Sequence, residues 1–327
     1  MKKLVEKFSE QLVRALEIGR SFSFQTKSLS FDHVVVSGLG GSGIGASIVQ
    51  EYVYDKLKVP FVVNKNYFIP AFVGSNTLFI ACSYSGNTEE TQAAVEAARR
   101  KKAVIVCITS GGALAAFARK HQYPLIELPG EMPPRACLGY SLVQLLFVLK
   151  STKLIKPTFE SEIHTAIISL NKNEKKIQKD AAVLAAQLKN KYVAIYGIAG
   201  IEGLTIRFRQ QLNENCKVLS WHNVIPEMTH NEIVGWRSEH PDLAVVTCYH
   251  KGDYDRNLKR LSILKKLLSQ YTGSVYNIEL KGDSYWERAF YFIHLTDWVS
   301  VFLSEMNGHD AMEVKVIDHL KSHMAKK

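Results

Sequence analysis

Apolar positions along the chain fall into two alternating regimes, short runs and helical stripes. Residues 3–20 set Leu4, Phe8, Leu12, Leu16 and Ile18 near one face, which predicts an amphipathic helix. His33-Val-Val-Val-Ser37 reads as a short strand. Gly38-Leu-Gly-Gly-Ser-Gly-Ile-Gly45 follows it directly, then a helix from about Ala46 to Tyr54. A second strand lies near Phe61–Asn64. The pattern repeats as strand 78–82, helix 88–101, strand 103–108, helix 112–120 and strand 124–127. Gly130 to Arg135 is a loop, and Leu138 to Leu149 an apolar helix. Strands alternating with helices predict a parallel sheet covered on both faces, an α/β fold.

The stretch Ser151 to Pro157 interrupts this pattern and predicts a boundary between residues 1–153 and 154–327. A long helical pattern with a Lys-rich middle then runs from about Glu160 to Lys189. Tyr192-Val-Ala-Ile-Tyr196 is a strand, and Gly197-Ile-Ala-Gly-Ile-Glu-Gly203 opens a helix through Asn213. This strand, glycine turn and helix echo Val34 to Gln50, so two related α/β halves are expected. Strands near 242–248 and 274–279 flank a helix near 254–269, and helices near 285–305 and 313–324 close the chain.

A length of 327 residues fits that division, since domains run to about 150 residues. No apolar run approaches the roughly 20 residues of a membrane span, and Met-Lys-Lys-Leu-Val-Glu-Lys-Phe lacks a signal peptide's apolar core. Cys82, Cys107, Cys137, Cys216 and Cys248 form no Cys-x-x-Cys pair and read as buried free thiols, Cys216 included despite its polar Asn-Glu-Asn-Cys-Lys setting. A cytoplasmic protein is expected. The formal charge is +10, but its basic residues are dispersed. The clusters Arg99-Arg100-Lys101-Lys102, Lys172-Asn173-Glu174-Lys175-Lys176 and the C-terminal tail lack interleaved aromatics. Solvated helix ends explain them better than nucleic acid, and the charge suits an anionic small substrate.

Candidate chemistry begins where strand 78–82 hands over to a helix. Ser83-Tyr-Ser-Gly-Asn-Thr88 sets short polar side chains and a Gly at that junction. Free N–H groups of a helix start attract an anion, and hydroxyls add donors without bulk. The loop is a phosphate cradle or an ordinary βα turn with Ser/Thr caps. The glycine turn at 38–45 suggests a dinucleotide site, but Ser42 sits in its middle. The next strand ends in Asn64 and Lys65, not in an acid for a ribose hydroxyl, so no nicotinamide cofactor is expected. Arg135, framed by Pro133, Pro134 and Ala136, is held rigidly, which favours a role over simple exposure. In the second half, Glu214 lies between two Asn residues, and His230 lies in Pro226-Glu-Met-Thr-His-Asn-Glu232. They are an acid/base pair, or else a capped helix end and a hydrogen-bonded loop His. His222, Glu227, His230 and Glu232 show no metal-ligand spacing, so no metal is expected.

Gly38-Leu-Gly-Gly-Ser-Gly-Ile-Gly, Ser83-Tyr-Ser-Gly-Asn-Thr-Glu-Glu-Thr, Pro134-Arg135-Ala-Cys-Leu-Gly-Tyr, Leu212-Asn-Glu-Asn and Pro226-Glu-Met-Thr-His-Asn-Glu-Ile-Val-Gly-Trp together resemble the bifunctional phosphoglucose/phosphomannose isomerase family. That family has two doubly wound sugar isomerase (SIS) domains, and the resemblance covers essentially the whole chain. It implies conversion of glucose 6-phosphate and mannose 6-phosphate to fructose 6-phosphate without a metal. It also implies that Ser83, Ser85 and Thr88 hold the phosphate, Gly41 and Ser42 line the sugar site, and Arg135 faces C1–C2. Glu214 becomes the base and His230 assists ring opening. The family uses a C-terminal Lys, matched here by Lys315 or, preferably, Lys321; Ala311 stands where many relatives have Pro. A homodimer with a shared site, His coming from the partner subunit, is implied likewise. The competing expectations are a SIS isomerase for another phosphosugar and a non-catalytic phosphosugar sensor.

Overall fold

The computed structural model describes residues 1–24 and 30–324, and the chain divides into two compact units. One comprises Glu6–Lys172 with Gly282–Glu287; the other comprises Met1–Val5, Asn173–Lys281 and the chain from Arg288. The basic tail beyond residue 324 lies outside the described residues.

The helix expected over residues 3–20 is two helices, α1 (Lys2–Glu6) and α2 (Phe8–Ser21), because the Lys7 backbone leaves helical geometry. The N-terminal unit then runs β1 (His33–Ser37), α3 (Gly40–Val53), β2 (Phe61–Asn64), β3 (Thr77–Cys82), α4 (Glu89–Arg100), β4 (Val104–Thr109), α5 (Gly112–Lys120), β5 (Leu125–Glu127) and α6 (Leu138–Ser151). The break expected at Ser151–Pro157 is the connection from α6 to α7 (Thr158–Leu188), and the compact units divide further on, within α7. The sheet is parallel, in the order β2-β1-β3-β4-β5, with Val35 opposite Phe79 and Phe79 opposite Ile105. All of β3 is buried, which is why it reads as an apolar run and not as an alternation. On one face Val35, Phe79, Ala81, Ile105 and Cys107 pack with Ala94, Val95 and Ala98 of α4 and Leu114 and Ala118 of α5. Elsewhere α6 packs against both α2 and α3.

Helix α3 begins at Gly40, inside the stretch read from sequence as a turn extending to Gly45. A Cβ at Gly43 would lie 2.4 Å from the Gly38 carbonyl oxygen, and one at Gly38 would lie 2.7 Å from that of Cys82. Glycine there lets the helix start hard against the strand ends.

The C-terminal unit carries β6 (Tyr192–Ile198), α8 (Glu202–Cys216), β7 (Ser220–Ile225), β8 (Leu243–Tyr249), α9 (Asp255–Leu268), β9 (Val275–Glu279), most of α10 (Tyr285–Met306) and α11 (Lys315–Met324). Its sheet is also parallel, in the order β7-β6-β8-β9. Ala194, Tyr196, Ile198 and Val245 form a core with Leu261, Leu264 and Leu268 of α9. Phe208 of α8 is fully buried and meets Phe292 edge-on; such burial contributes about 2–3 kcal/mol. Strand β7 goes unseen in the apolar pattern because it is an edge strand whose Trp221-His222-Asn223 stays partly exposed.

Candidate active site

Beyond Cys82 the chain turns at Ser83–Gly86, with the Gly86 N–H donating to the Ser83 carbonyl at 3.1 Å. Gly86 has φ +70°, and a Cβ there would lie 1.9 Å from the Gly111 carbonyl oxygen. Only glycine fits that turn. The Ser83 and Thr88 hydroxyls share a 2.8 Å hydrogen bond, and the Gly86 and Asn87 N–H groups donate to the Ser83 and Ser85 hydroxyls at 3.2 and 3.3 Å. Thr88 stands at the N-cap of α4, yet its side chain caps no helix N–H. These hydroxyls line a loop at the C-terminal edge of a parallel sheet, where open α/β folds take ligands.

The loop is tied to its neighbours. The Tyr84 N–H donates to Ser42 Oγ at 3.2 Å, and the Tyr84 hydroxyl to the Pro129 carbonyl at 2.7 Å. Ser42 is buried in the first turn of α3. Gly41 faces the next segment so closely that a Cβ would lie 2.9 Å from the Pro134 carbonyl oxygen. Arg135, only 6% exposed, sits in the 3-10 turn Pro134–Ala136. Gln11 of α2 clamps that turn: its Nε2 donates to the Ala136 carbonyl at 2.7 Å, and its Oε1 accepts from the Gly139 N–H at 2.8 Å. Gly41, Ser42, Ser83, Ser85, Thr88 and Arg135 therefore gather on adjoining segments of one unit. Gln11 is a supporting residue that sequence reasoning missed, since nothing local marks a polar position on an amphipathic helix as a long-range clamp.

In the C-terminal unit Glu214 is half-buried near the end of α8. Its two Asn neighbours are anchors: Asn213 Nδ2 donates to the Val218 carbonyl at 2.8 Å and Ser220 Oγ at 3.1 Å, and Asn215 Nδ2 donates to Ser300 Oγ at 2.9 Å. Lys217, in left-handed conformation, caps α8, and its Nζ donates to the Glu214 and Glu313 carbonyls at 2.6 Å each. This holds the segment leading into α11 at the end of α8. Lys315 follows Glu313 by two positions, while Lys321 lies exposed on α11. Earlier on α8, buried Arg207 pairs with Asp297 of α10 (Nη1 to Oδ1, 3.0 Å), and Gln211 Nε2 donates to the same carboxylate at 2.7 Å.

His230 ends the 3-10 turn Glu227–His230 just after β7, and its side chain is exposed. Glu214 lies near the start of β7, where its neighbour Asn213 bonds Ser220, whereas His230 follows the strand's end. At about 3.3 Å per strand residue, β7 (Ser220–Ile225) separates the two by on the order of 15 Å within one chain. The structure thus places Glu214 and His230 at opposite edges of one sheet and does not bring them together. Among the described residues no group of three or more His, Cys, Asp or Glu could hold a metal ion. All five cysteines are buried, and burial pushes the Cys82, Cys107 and Cys216 thiols up to about 12 and Cys137 to about 11. No helix of the described residues is long and apolar enough to cross a membrane.

Two parallel α/β sheets with a hydroxyl loop at one sheet edge define a SIS-type protein. Residues 30–129 match the SIS domain, and residues 177–324 match the bacterial phospho-glucose isomerase C-terminal SIS domain. The fold is similar to that of a putative phosphosugar isomerase from Clostridium difficile, with TM-score 0.78 at 16% identity over 96% of this chain and 95% of that one. The sequence is 40% identical to a bifunctional phosphoglucose/phosphomannose isomerase of Caldicellulosiruptor bescii over 97% of this chain and 96% of the relative. It is 32% identical to that of Thermoplasma volcanium over 97% and 99%. The chain belongs to the bifunctional phosphoglucose/phosphomannose isomerase family.

Proposed function

We propose that this protein interconverts glucose 6-phosphate and mannose 6-phosphate with fructose 6-phosphate through a cis-enediol, using no metal or organic cofactor. The reading rests chiefly on one observation: the Ser83/Thr88 hydroxyl loop, joined through Tyr84 to Ser42 and flanked by the clamped Arg135 turn, in a chain of this family.

Ser83, Ser85 and Thr88 hold the 6-phosphate with hydroxyl and N–H donors, and Gly41 and Ser42 line the sugar. Phosphate binding supplies energy remote from the reacting carbons, which positions them. His230 exchanges a proton with the ring oxygen, opening the ring. Glu214 then removes the proton next to the carbonyl and returns it to the neighbouring carbon. Negative charge builds on the enediolate oxygens, and the Arg135 guanidinium stabilises it. A C-terminal Lys, Lys321 or Lys315, adds a second cation.

The edge-to-edge separation of Glu214 and His230 supports a homodimer in which the partner subunit's His230 completes each site. Five buried thiols suit a reducing, cytoplasmic setting. A coupled assay with both aldose phosphates, run with and without a chelator, tests the reading. Turnover of both, undiminished by chelation, is expected. Binding without turnover would instead mark a sensor, and turnover of neither a different phosphosugar.

A further inference from the structure

The loop that carries His230, Pro226–Trp236, has no regular structure beyond short 3-10 turns. Met228 and Trp236 of the loop are buried in the sheet's core, and one carboxylate ties the stretch beside His230 to the strands. Glu232 accepts hydrogen bonds from the Tyr196 hydroxyl at 2.5 Å, Trp221 Nε1 at 2.8 Å and Asn223 Nδ2 at 2.7 Å. Tyr196 belongs to β6, and Trp221 and Asn223 to β7, on the same sheet face, since Ala194 pairs with Trp221 and Tyr196 with Asn223. Trp236 Nε1, from the far end of the loop, donates to the Tyr196 hydroxyl at 3.3 Å. Burial, then the hydrogen bond to Glu232, pushes the Tyr196 pKa up, so the phenol keeps its proton at neutral pH.

Both flanks of His230 are held in turn. Asn231 Oδ1 accepts from the Glu232 N–H at 2.6 Å, and Asn231 Nδ2 donates to Glu227 Oε1 at 2.6 Å. On the other side the Thr229 hydroxyl donates to the Pro226 carbonyl at 2.6 Å and accepts from Arg260 Nη1 at 3.2 Å. His230, between them, is exposed. An exposed ring on an irregular loop is held in one place only if its backbone is.

We propose that Glu232, with Tyr196 as its buried donor, is the positioning residue for His230, fixing the loop so that the imidazole meets the sugar ring oxygen. The inference rests on the reading that His230 opens the ring. Charge-assisted hydrogen bonds to three donors on two strands give the carboxylate a grip that a neutral amide cannot reproduce. Glu232 touches no substrate and transfers no proton.

The test measures ring opening apart from isomerisation, as exchange between the α and β anomers of glucose 6-phosphate by NMR. The full chain is compared with Glu232→Gln, Tyr196→Phe and His230→Asn, alongside thermal unfolding and competitive inhibition by inorganic phosphate. His230→Asn and Glu232→Gln are expected to slow enzyme-catalysed anomer exchange at least about tenfold while phosphate inhibition stays within about twofold, the signature of lost positioning. Tyr196→Phe, which removes one donor and little volume, should show a smaller loss in the same direction, and it carries the test should Glu232→Gln not fold. Anomer exchange at the parent rate in folded Glu232→Gln or Tyr196→Phe, with His230→Asn slowed, overturns the positioning role alone. Parent-rate exchange in His230→Asn overturns the ring-opening reading, and the inference with it.

Discussion

Ser83 holds its own loop together, and the proposed function gives the same hydroxyl a second job on the phosphate. It pairs with Thr88 and accepts from the Gly86 N–H, so the loop is preformed before any anion arrives. A hydrogen bond to a charged group contributes about 1.5 kcal/mol or more. Ser83→Ala is therefore expected to raise KM about tenfold for every hexose 6-phosphate, with a smaller change in kcat; a kinetic comparison of both aldose substrates checks this. The polar character of the loop was legible in the sequence, but the choice between cradle and cap was not. In the fold the Thr88 hydroxyl pairs with Ser83 and caps no α4 N–H, a partner that the loop's own sequence does not name. The flanking Asn residues of Glu214 were likewise visible as an oddity. Their anchoring partners, Ser220 and Ser300, come from other elements, which no local pattern contains. The cysteines are simpler: thiols pushed up to about 11 or 12 by burial are protonated at neutral pH. The native protein should resist thiol reagents that modify it readily once unfolded.

Helices α2 and α6 are the elements that steady Arg135. Besides the Gln11 clamp, α6 meets α2 where a Cβ on Gly19 would fall 2.0 Å from the buried Phe147 ring. Gly19→Ala should destabilise the fold by about 1–3 kcal/mol, as overpacking does, and calorimetry would register it as a lowered Tm. An ion cluster joins this pair to α7: Glu160 accepts from Arg20 at 2.9 Å and Lys150 at 2.6 Å. Burial raises the Glu160 pKa, but hydrogen bonds from Lys150 and Arg20 outweigh it and the net shift is downward. A lowered folded-state pKa means stability that is present above the unfolded carboxylate value and lost as pH falls through the folded one. Glu160→Gln should thus lose about 1 kcal/mol or less at neutral pH, given the exposure of both cations, and the difference should shrink as pH falls below the ordinary carboxylate range; urea titrations at neutral and acidic pH measure it. Most elements could be read from apolar periodicity. Strand β7 could not, because an edge strand keeps its polar residues half-exposed.

At the level of the whole molecule, the opposed placement of Glu214 and His230 makes the proposed homodimer testable by mixing chains. If each site takes Glu214 from one chain and His230 from the partner subunit, Glu214→Gln and His230→Asn proteins are each inactive alone. A mixed dimer then holds one site with both native residues. Co-refolding equal amounts should restore about a quarter of the parent activity, as random pairing in a two-fold dimer gives. No recovery is possible if both residues of a site come from one chain. The two-half architecture and its parallel sheets were readable from the repeated strand, glycine turn and helix. A site shared between chains was implied by the family resemblance alone, since apolar periodicity does not say which sheet edge each residue reaches.

In the proposed reaction Glu214 carries the proton between C1 and C2 while the serine loop anchors the substrate. The most direct test is deuterium incorporation from D2O into fructose 6-phosphate by the parent and by Glu214→Gln. The parent should incorporate deuterium, and the variant should lose incorporation on the order of 10³-fold or more, at nearly unchanged inhibition by inorganic phosphate. Incorporation by Glu214→Gln at the parent rate would contradict that role for Glu214.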